Sequence, residues 1–326
     1  MITKIKLYLA FLLFYAKQIR MRGLCDSLVL MYHVFFLVFF NNVDKHHCVK
    51  HRLNLKFLQK HIDLQSQDAP PSMLIRGNTY RIWVLWWQGE ENMPHIVKAT
   101  YHSIIKATDK QVVLITKDNV LDYIDIPSFI QEKVDVGKMS LAALSDYIRV
   151  SLLFNYGGLW IDSTVFCAQK LPEKIYDMKL ITVKNCPSGC KYVAQGKWNV
   201  QFLGTNEVHS KVFFLMKSIF EQYWRKYSII MDYLLVDYSF EYIYENDEEC
   251  KALFDRVPLS NEHMHDLLSK MNMPFDKASM EELLLPNTYL FKLTYKMSFI
   301  DQIEGKPTFY SYVINNLKCW QREMYY

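Results

Sequence analysis

The tightest constraint in this chain is a helix that has to stop and pass directly into a buried strand. From Leu141 to Tyr156 the apolar residues recur at helical spacing, and Gly157-Gly158 follows at once, as a C-cap would. Leu159 to Phe166 then reads as a strand with no loop before it. Asp146 and Arg149 stand three apart on the helix and share a face. Trp160 and Asp162 share one side of the strand by its period of two. Asp146, Arg149 and Asp162 are therefore expected to converge at the end of one strand.

The same alternation runs through the rest of the chain. Arg81 to Trp86, Gln111 to Thr116, Leu180 to Val183 and Val200 to Gly204 read as further strands. Ile96 to Ala107, just after Pro94, reads as a helix, and so do Ser210 to Tyr227 and Ile229 to Tyr244. Strands alternating with helices predict an α/β fold with a mainly parallel central sheet covered on both faces. Neither Gly-x-Gly-x-x-Gly nor a Walker sequence follows the first strand, which weakens dinucleotide and P-loop readings.

Ahead of this pattern lies a different segment. Residues 1–60 carry ten Lys or Arg against two acids, Asp26 and Asp44, and the rest of the chain holds more acids than bases. Two apolar runs, Leu7 to Ala16 and Ser27 to Phe40, fall short of the roughly 20 residues a spanning helix needs. They read as helices that either lie at a membrane interface or pack on the α/β body, and the basic charge suggests contact with an anionic membrane surface. Asp68-Ala-Pro-Pro-Ser72 reads as a linker. The expected division is a basic helical segment over 1–75 and an α/β domain over 76–326. The acidic body lacks a basic stripe, so nucleic acid is not an expected partner. Seven cysteines without a paired framework fit a reducing compartment, and the expected location is cytoplasmic, peripheral on the inner face of the cytoplasmic membrane. His46, His47, Cys48 and His51 are metal-ligand types close in sequence, but a second ligand set is lacking.

The convergent trio has the chemistry to hold a sugar nucleotide. A carboxylate accepts from sugar or ribose hydroxyls, a guanidinium forks onto phosphate oxygens, and a further carboxylate holds a divalent cation on a diphosphate. Spacing alone reads equally as a surface ion pair beside a lone aspartate.

The wording of the segment says more. Ser145-Asp-Tyr-Ile-Arg149, then Leu153, then Tyr156-Gly-Gly-Leu-Trp-Ile-Asp162-Ser-Thr164, resembles the donor-site signature of glycosyltransferase family 32. It is more similar still to the bacterial capsular polysaccharide synthesis protein family. That resemblance takes in Ile82-Trp-Val-Leu-Trp-Trp-Gln-Gly-Glu-Glu-Asn92, Lys197-Trp-Asn199, Asp232-Tyr-Leu-Leu-Val-Asp237-Tyr238 and Phe291-Lys-Leu-Thr-Tyr-Lys296, over roughly residues 76–300.

The resemblance implies a GT-A-type nucleotide-sugar-binding domain. It implies transfer of a hexosyl unit, with retention, from a nucleoside-diphosphate sugar to a growing capsular or other surface glycan, with a glycan or lipid-linked glycan as acceptor. Trp87 would stack on the donor base, with Trp160 beside the donor. Asp146 and Arg149 would make the ribose and sugar contacts, and Asp162 would be the first acid of an Asp-x-Asp. Thr164 stands where the second acid is expected and offers only a neutral oxygen. Mn²⁺ or Mg²⁺ held by Asp162 and Thr164 is one expectation. Cationic side chains in place of the metal are the other, with Lys292 and Lys296 as candidates. Asp237 could orient an acceptor hydroxyl or the catalytic helix. Two rival readings are a catalytically silent nucleotide-sugar- or glycan-binding module, and a hydrolase pairing Asp146 with Asp162. The second is disfavoured because Arg149 should keep Asp146 ionised.

Overall fold

The computed structural model describes residues 2–65, 68–75, 79–186 and 193–315. Four helices come first: α1 (Ile2–Lys17), α2 (Ile19–Arg22), α3 (Leu24–Phe40) and α4 (Val43–His61). The body then runs β1 (Met73–Leu74), β2 (Arg81–Leu85), α5 (His95–Lys106), β3 (Gln111–Ile115), α6 (Ser128–Asp135), α7 (Leu141–Tyr156), β4 (Gly158–Ile161), β5 (Val165–Cys167), β6 (Ile181–Thr182), β7 (Phe202–Thr205) and β8 (Glu207–Val208). It closes with α8 (Lys211–Lys226), α9 (Leu235–Asn246), α10 (Glu248–Asp255), α11 (Asp266–Lys270), α12 (Lys277–Leu283), β9 (Leu290–Lys292) and the short pair β10 (Gln302–Ile303) and β11 (Lys306–Pro307).

The central sheet has the order β3-β2-β4-β7-β6. β2 runs parallel to β3 and β4, whereas β4–β7 and β7–β6 are antiparallel. The sheet is thus mixed, not mainly parallel. In the described parts of the β6–β7 connection, residues 183–186 and 193–201, no helix returns the chain in the same sense. Both faces are covered, as expected. Trp83, Trp160 and Leu203 point into a core shared with α7, α8 and α9. Their neighbours Ile82, Val84, Leu159, Ile161 and Phe202 point into a second core with α5, β5 and β9. The period of two divides the strand residues between the two cores.

The expected strand from Leu159 to Phe166 is broken. β4 ends at Ile161, a turn closed by Val165 N–H on the Asp162 carbonyl (2.9 Å) intervenes, and β5 leaves the sheet to pair antiparallel with β9. The expected helix from Ile229 begins only at Leu235. Asp232 accepts from the Leu234 N–H at 3.0 Å, and side chains of the N-terminal helices hold the carbonyls just before it. Gln18 donates to the Ile230 and Met231 carbonyls, and Arg22 donates to Met231 and to Asn54. Lys50 pairs with Asp232 at 3.1 Å.

α1 and α3 form a hairpin with its own small core around Tyr15, Leu30 and Val34. α4 differs: Leu55, Phe57 and Leu58 belong to the large core of the body. No helix among the described residues is long and apolar enough to cross a membrane. Cys25, Cys48, Cys167 and Cys250 are free thiols, whereas Cys186 is disulfide-bonded, so the expectation of an unpaired set fails there. Cys190 and Cys319 lie outside the described residues.

Candidate active site

The two glycines place the site. Gly157 and Gly158 both have positive φ, +62° and +90°. A Cβ on Gly158 would meet the Arg81 carbonyl at 2.3 Å, and one on Gly157 would meet the Glu207 carbonyl at 2.7 Å. Only glycine permits both this backbone and this closeness. The turn sets β4 against β2 and returns its far end alongside the middle of α7, where Arg149 meets Asp162. Ser140 caps the start of α7 by accepting from the Ala143 N–H, so the helix is fixed at both ends.

Asp146, Arg149 and Asp162 do converge. Arg149 is 5% exposed. Its Nη1 donates to Asp146 Oδ1 at 3.0 Å and its Nη2 to Asp162 Oδ1 at 3.2 Å. The guanidinium lies 4.9 Å from the Trp160 ring centroid, and Trp160 Nε1 donates to Asp162 Oδ1 at 2.9 Å. Trp160 is 1% exposed, so it cannot face a donor as expected; it holds Asp162 and supports Arg149 from within the core. Arg149 is likewise occupied by two carboxylates and is not an open fork awaiting phosphate.

Lys292 completes the cluster from the far end of the chain. Its Nζ lies 2.9 Å from Asp162 Oδ2 and 2.7 Å from Thr164 Oγ1. The pairing of Lys292 with Val165 across β5–β9, and the Leu293 N–H on the Thr164 carbonyl (2.9 Å), fix it there. Lys296 is exposed four residues on, and the ring of its neighbour Tyr295 meets Trp86 edge-on at 5.3 Å. That contact brings the last segment to the end of β2. Trp87 is half-buried against the large core there, its carbonyl accepting from the Lys117 N–H.

Asp237 lies at the start of α9, where Trp198 Nε1 donates to its Oδ1 at 3.0 Å. Sequence reading picked out Lys197-Trp-Asn199 without seeing that Trp198 orients Asp237. The signal available was the indole N–H, a lone donor that requires an acceptor when buried. Next to it, Lys197 pairs with Glu241 at 2.7 Å.

The electrostatics separate the three aspartates. Burial lifts the Asp146 carboxyl to about 7; Arg149 opposes this, and Asp162 and Asp237 add to it. The expectation that Arg149 alone keeps Asp146 ionised is therefore not met, because desolvation outweighs the pairing. Burial also lifts Asp237 to about 6, against the Trp198 hydrogen bond and Arg149. Burial pushes Asp162 upward as well, but Lys292 and Arg149 together outweigh it and hold the carboxyl below its ordinary value. Yet the Asp146 and Asp162 side chains keep 17% and 23% of their surface, so solvent reaches them and they are not sealed in the core.

These residues do not fit a divalent ion at the expected place. The donors would be Asp162 and Thr164, one carboxylate and one neutral hydroxyl. Both Asp162 oxygens already accept hydrogen bonds, and an ammonium lies against both residues. Hard cations collect several anionic or neutral oxygens, not a site shared with a cation. Among the described residues, His46, His47, Cys48 and His51 do not bring three ligand atoms together either. Among the described residues, the one group of ligand-type atoms close together is His51, Glu241 and Glu245, and Glu241 there is already the partner of Lys197.

Compared with known proteins, residues 36–313 match the family model described as capsular polysaccharide synthesis protein. No curated protein and no solved structure matches the chain.

Proposed function

The chain belongs to the capsular polysaccharide synthesis protein family, and from that premise we propose that it is a retaining glycosyltransferase that moves a hexosyl unit from a nucleoside-diphosphate sugar onto a growing capsular glycan. The observation that carries this reading is the convergence of Asp146, Arg149, Asp162 and Lys292 where the chain leaves the sheet after β4. Open α/β sheets bind nucleotides outside the carboxyl ends of their strands. The mixed sheet, parallel on one side of β4 and antiparallel on the other, supports a GT-A-type domain.

In this reading Trp87 flanks the base at the end of β2, and Lys292 and Lys296 approach the diphosphate. Asp146 and Asp162 meet donor hydroxyls, and Arg149 fixes the two carboxylates relative to each other. Asp237, held by Trp198, orients the acceptor hydroxyl. No side-chain nucleophile is needed for a front-side displacement, and catalysis is mainly positioning plus stabilisation of the leaving diphosphate. The acceptor is a glycan or lipid-linked glycan, and the basic N-terminal hairpin keeps the protein at the inner membrane surface where such an acceptor is found.

The hydrolase reading has little support: one guanidinium bridges Asp146 and Asp162, so a sugar ring cannot lie between them. A panel of nucleotide sugars scored by thermal shift, followed by measurement of released nucleoside diphosphate with a capsular oligosaccharide acceptor, tests the proposal. A bound donor raises the Tm by mass action. Stabilisation by one donor without any turnover would favour the silent binding module, and no stabilisation by any donor would refute the donor site.

A further inference from the structure

We infer that the Lys292 ammonium takes the place of the divalent cation at this donor site, so that the enzyme binds and activates its sugar nucleotide without metal. The inference rests on the donor-site reading and deepens it. Asp162 and Thr164 are the positions where metal ligands are expected, and Lys292 Nζ sits between their oxygens at 2.9 Å and 2.7 Å. Three observations go together. Thr164 lacks the charge a metal pair would need. Lys292 is held by backbone pairing on both sides, since its N–H donates to the Met264 carbonyl at 2.7 Å and its strand pairs with β5. Its side chain keeps 21% of its surface, so it is not sealed in the core.

An ammonium has three donors. Two are used on Asp162 and Thr164, which leaves the third for a phosphate oxygen. In the transfer step the bond between the anomeric carbon and the diphosphate oxygen breaks, and its electron pair stays on that oxygen. The acceptor oxygen bonds to the anomeric carbon, and its proton passes to the departing phosphate. Lys292 donates to the oxygen on which charge builds, which is the service a metal gives as a Lewis acid. Thr164 and Asp162 keep the ammonium from swinging away when the product leaves.

The test is calorimetric titration of the whole protein with UDP, GDP, CDP and dTDP, in EDTA and again in Mn²⁺. One diphosphate should bind with the same Kd, within about twofold, in both conditions. Mn²⁺ alone, followed by its paramagnetic resonance signal, should show no site on the parent protein. Lys292→Met keeps the stem and removes the charge, and should weaken diphosphate binding in EDTA at least tenfold. Lys292→Arg should recover part of that loss. Lys292→Met combined with Thr164→Asp should create Mn²⁺-dependent binding. Diphosphate binding by the parent that appears only with Mn²⁺ overturns the inference and leaves the donor site intact. Absence of binding under both conditions overturns the donor site and the inference with it. The parent protein decides whether metal is needed, and parental diphosphate binding in EDTA by folded Lys292→Met, or by Lys292→Gln should the first fail to fold, overturns the assignment to Lys292.

Discussion

Arg149 joins Asp162 at 3.2 Å although thirteen residues and a helix-to-strand turn separate them. Its other nitrogen is on Asp146, so a single planar group fixes the relative placement of two carboxylates. Arg149→Lys keeps a positive charge but cannot reach both. The variant should fold, with a lower Tm, and its kcat/KM should fall roughly tenfold to a hundredfold, the equivalent of one or two charge-assisted hydrogen bonds. Parental turnover in a steady-state assay would contradict the assignment.

Asp162→Asn tests the anion itself. Asp162 accepts from Arg149, Trp160 and Lys292, and replacing it by an amide leaves two cations facing each other without their shared counter-charge. Breaking a recessed pair in this way costs on the order of 3 kcal/mol. Thermal denaturation should show a lower Tm, and product analysis should detect no transfer. A rise in Tm would mean that the cluster is held at a net electrostatic cost that Lys292 and Arg149 do not offset.

Asp146 gives a pH signature. Its ordinary value is 3.8 and its folded value about 7, so between these the native state holds a proton that the unfolded state has lost. Stability from this group therefore falls as pH climbs from about 4 to about 7. Asp237, raised to about 6, acts in the same direction. Asp162 acts oppositely: its contribution is present above the ordinary carboxylate value and is lost as pH falls below it. Asp146→Asn should raise the Tm by a few degrees at pH 8 and leave it nearly unchanged at pH 5. An equal shift at both values would show that Asp146 is not protonated in the native protein near pH 5.

Gly158→Ala separates close approach from backbone strain. Gly158 and Gly23 share φ +90°, but a Cβ on Gly23 meets nothing within 4 Å. Gly23→Ala should cost about 1–3 kcal/mol from its backbone conformation alone. Gly158→Ala must also push back the Arg81 carbonyl and should cost about 3 kcal/mol or more. Chemical denaturation of the two variants side by side measures the difference. Equal losses would mean that β4 can shift away from β2 freely.

The N-terminal hairpin offers two apolar stripes at helical spacing, Ile2, Ile5, Leu9 and Leu13 on α1 and Leu24, Leu28, Tyr32 and Phe35 on α3, all exposed. Lys4, Lys6, Lys17 and Arg20 are exposed beside them. The protein should float with vesicles containing phosphatidylglycerol and be released by salt, at about 1 kcal/mol per basic residue. Lys4→Glu with Lys6→Glu should weaken flotation without changing the Tm. Equal binding to neutral vesicles would assign the hairpin a purely apolar role.

The parts of this molecule that were legible in the sequence are the local ones. α7 runs from Leu141 to Tyr156 as read, because its cap, its periodicity and its terminating glycines all lie within one stretch. The convergence of Asp146, Arg149 and Asp162 followed from two periods and one turn. What escaped depends on distant pairing. The antiparallel β4–β7 ladder leaves no mark on β4, whose residues are apolar in either sense. The break after Ile161 arises because β5 pairs with β9, far along the chain. Burial of Trp160 on both sides was equally invisible, since a tryptophan near a donor motif reads the same whether it faces ligand or core. The delayed start of α9 required Gln18 and Arg22, more than two hundred residues away.

The β5–β9 pairing also has a consequence for the order of synthesis. Asp162 and Lys292 are separated by 130 positions. At about 5–20 residues per second, the ribosome delivers Lys292 on the order of ten seconds after Asp162. During that interval α7, β4 and their aspartates can already be assembled, with Arg149 as their nearby cation. The Asp162 carboxylate therefore gains its second cation only after β9 has emerged and docked on β5, well after the helix and strand that carry Arg149 and Asp162 have been made.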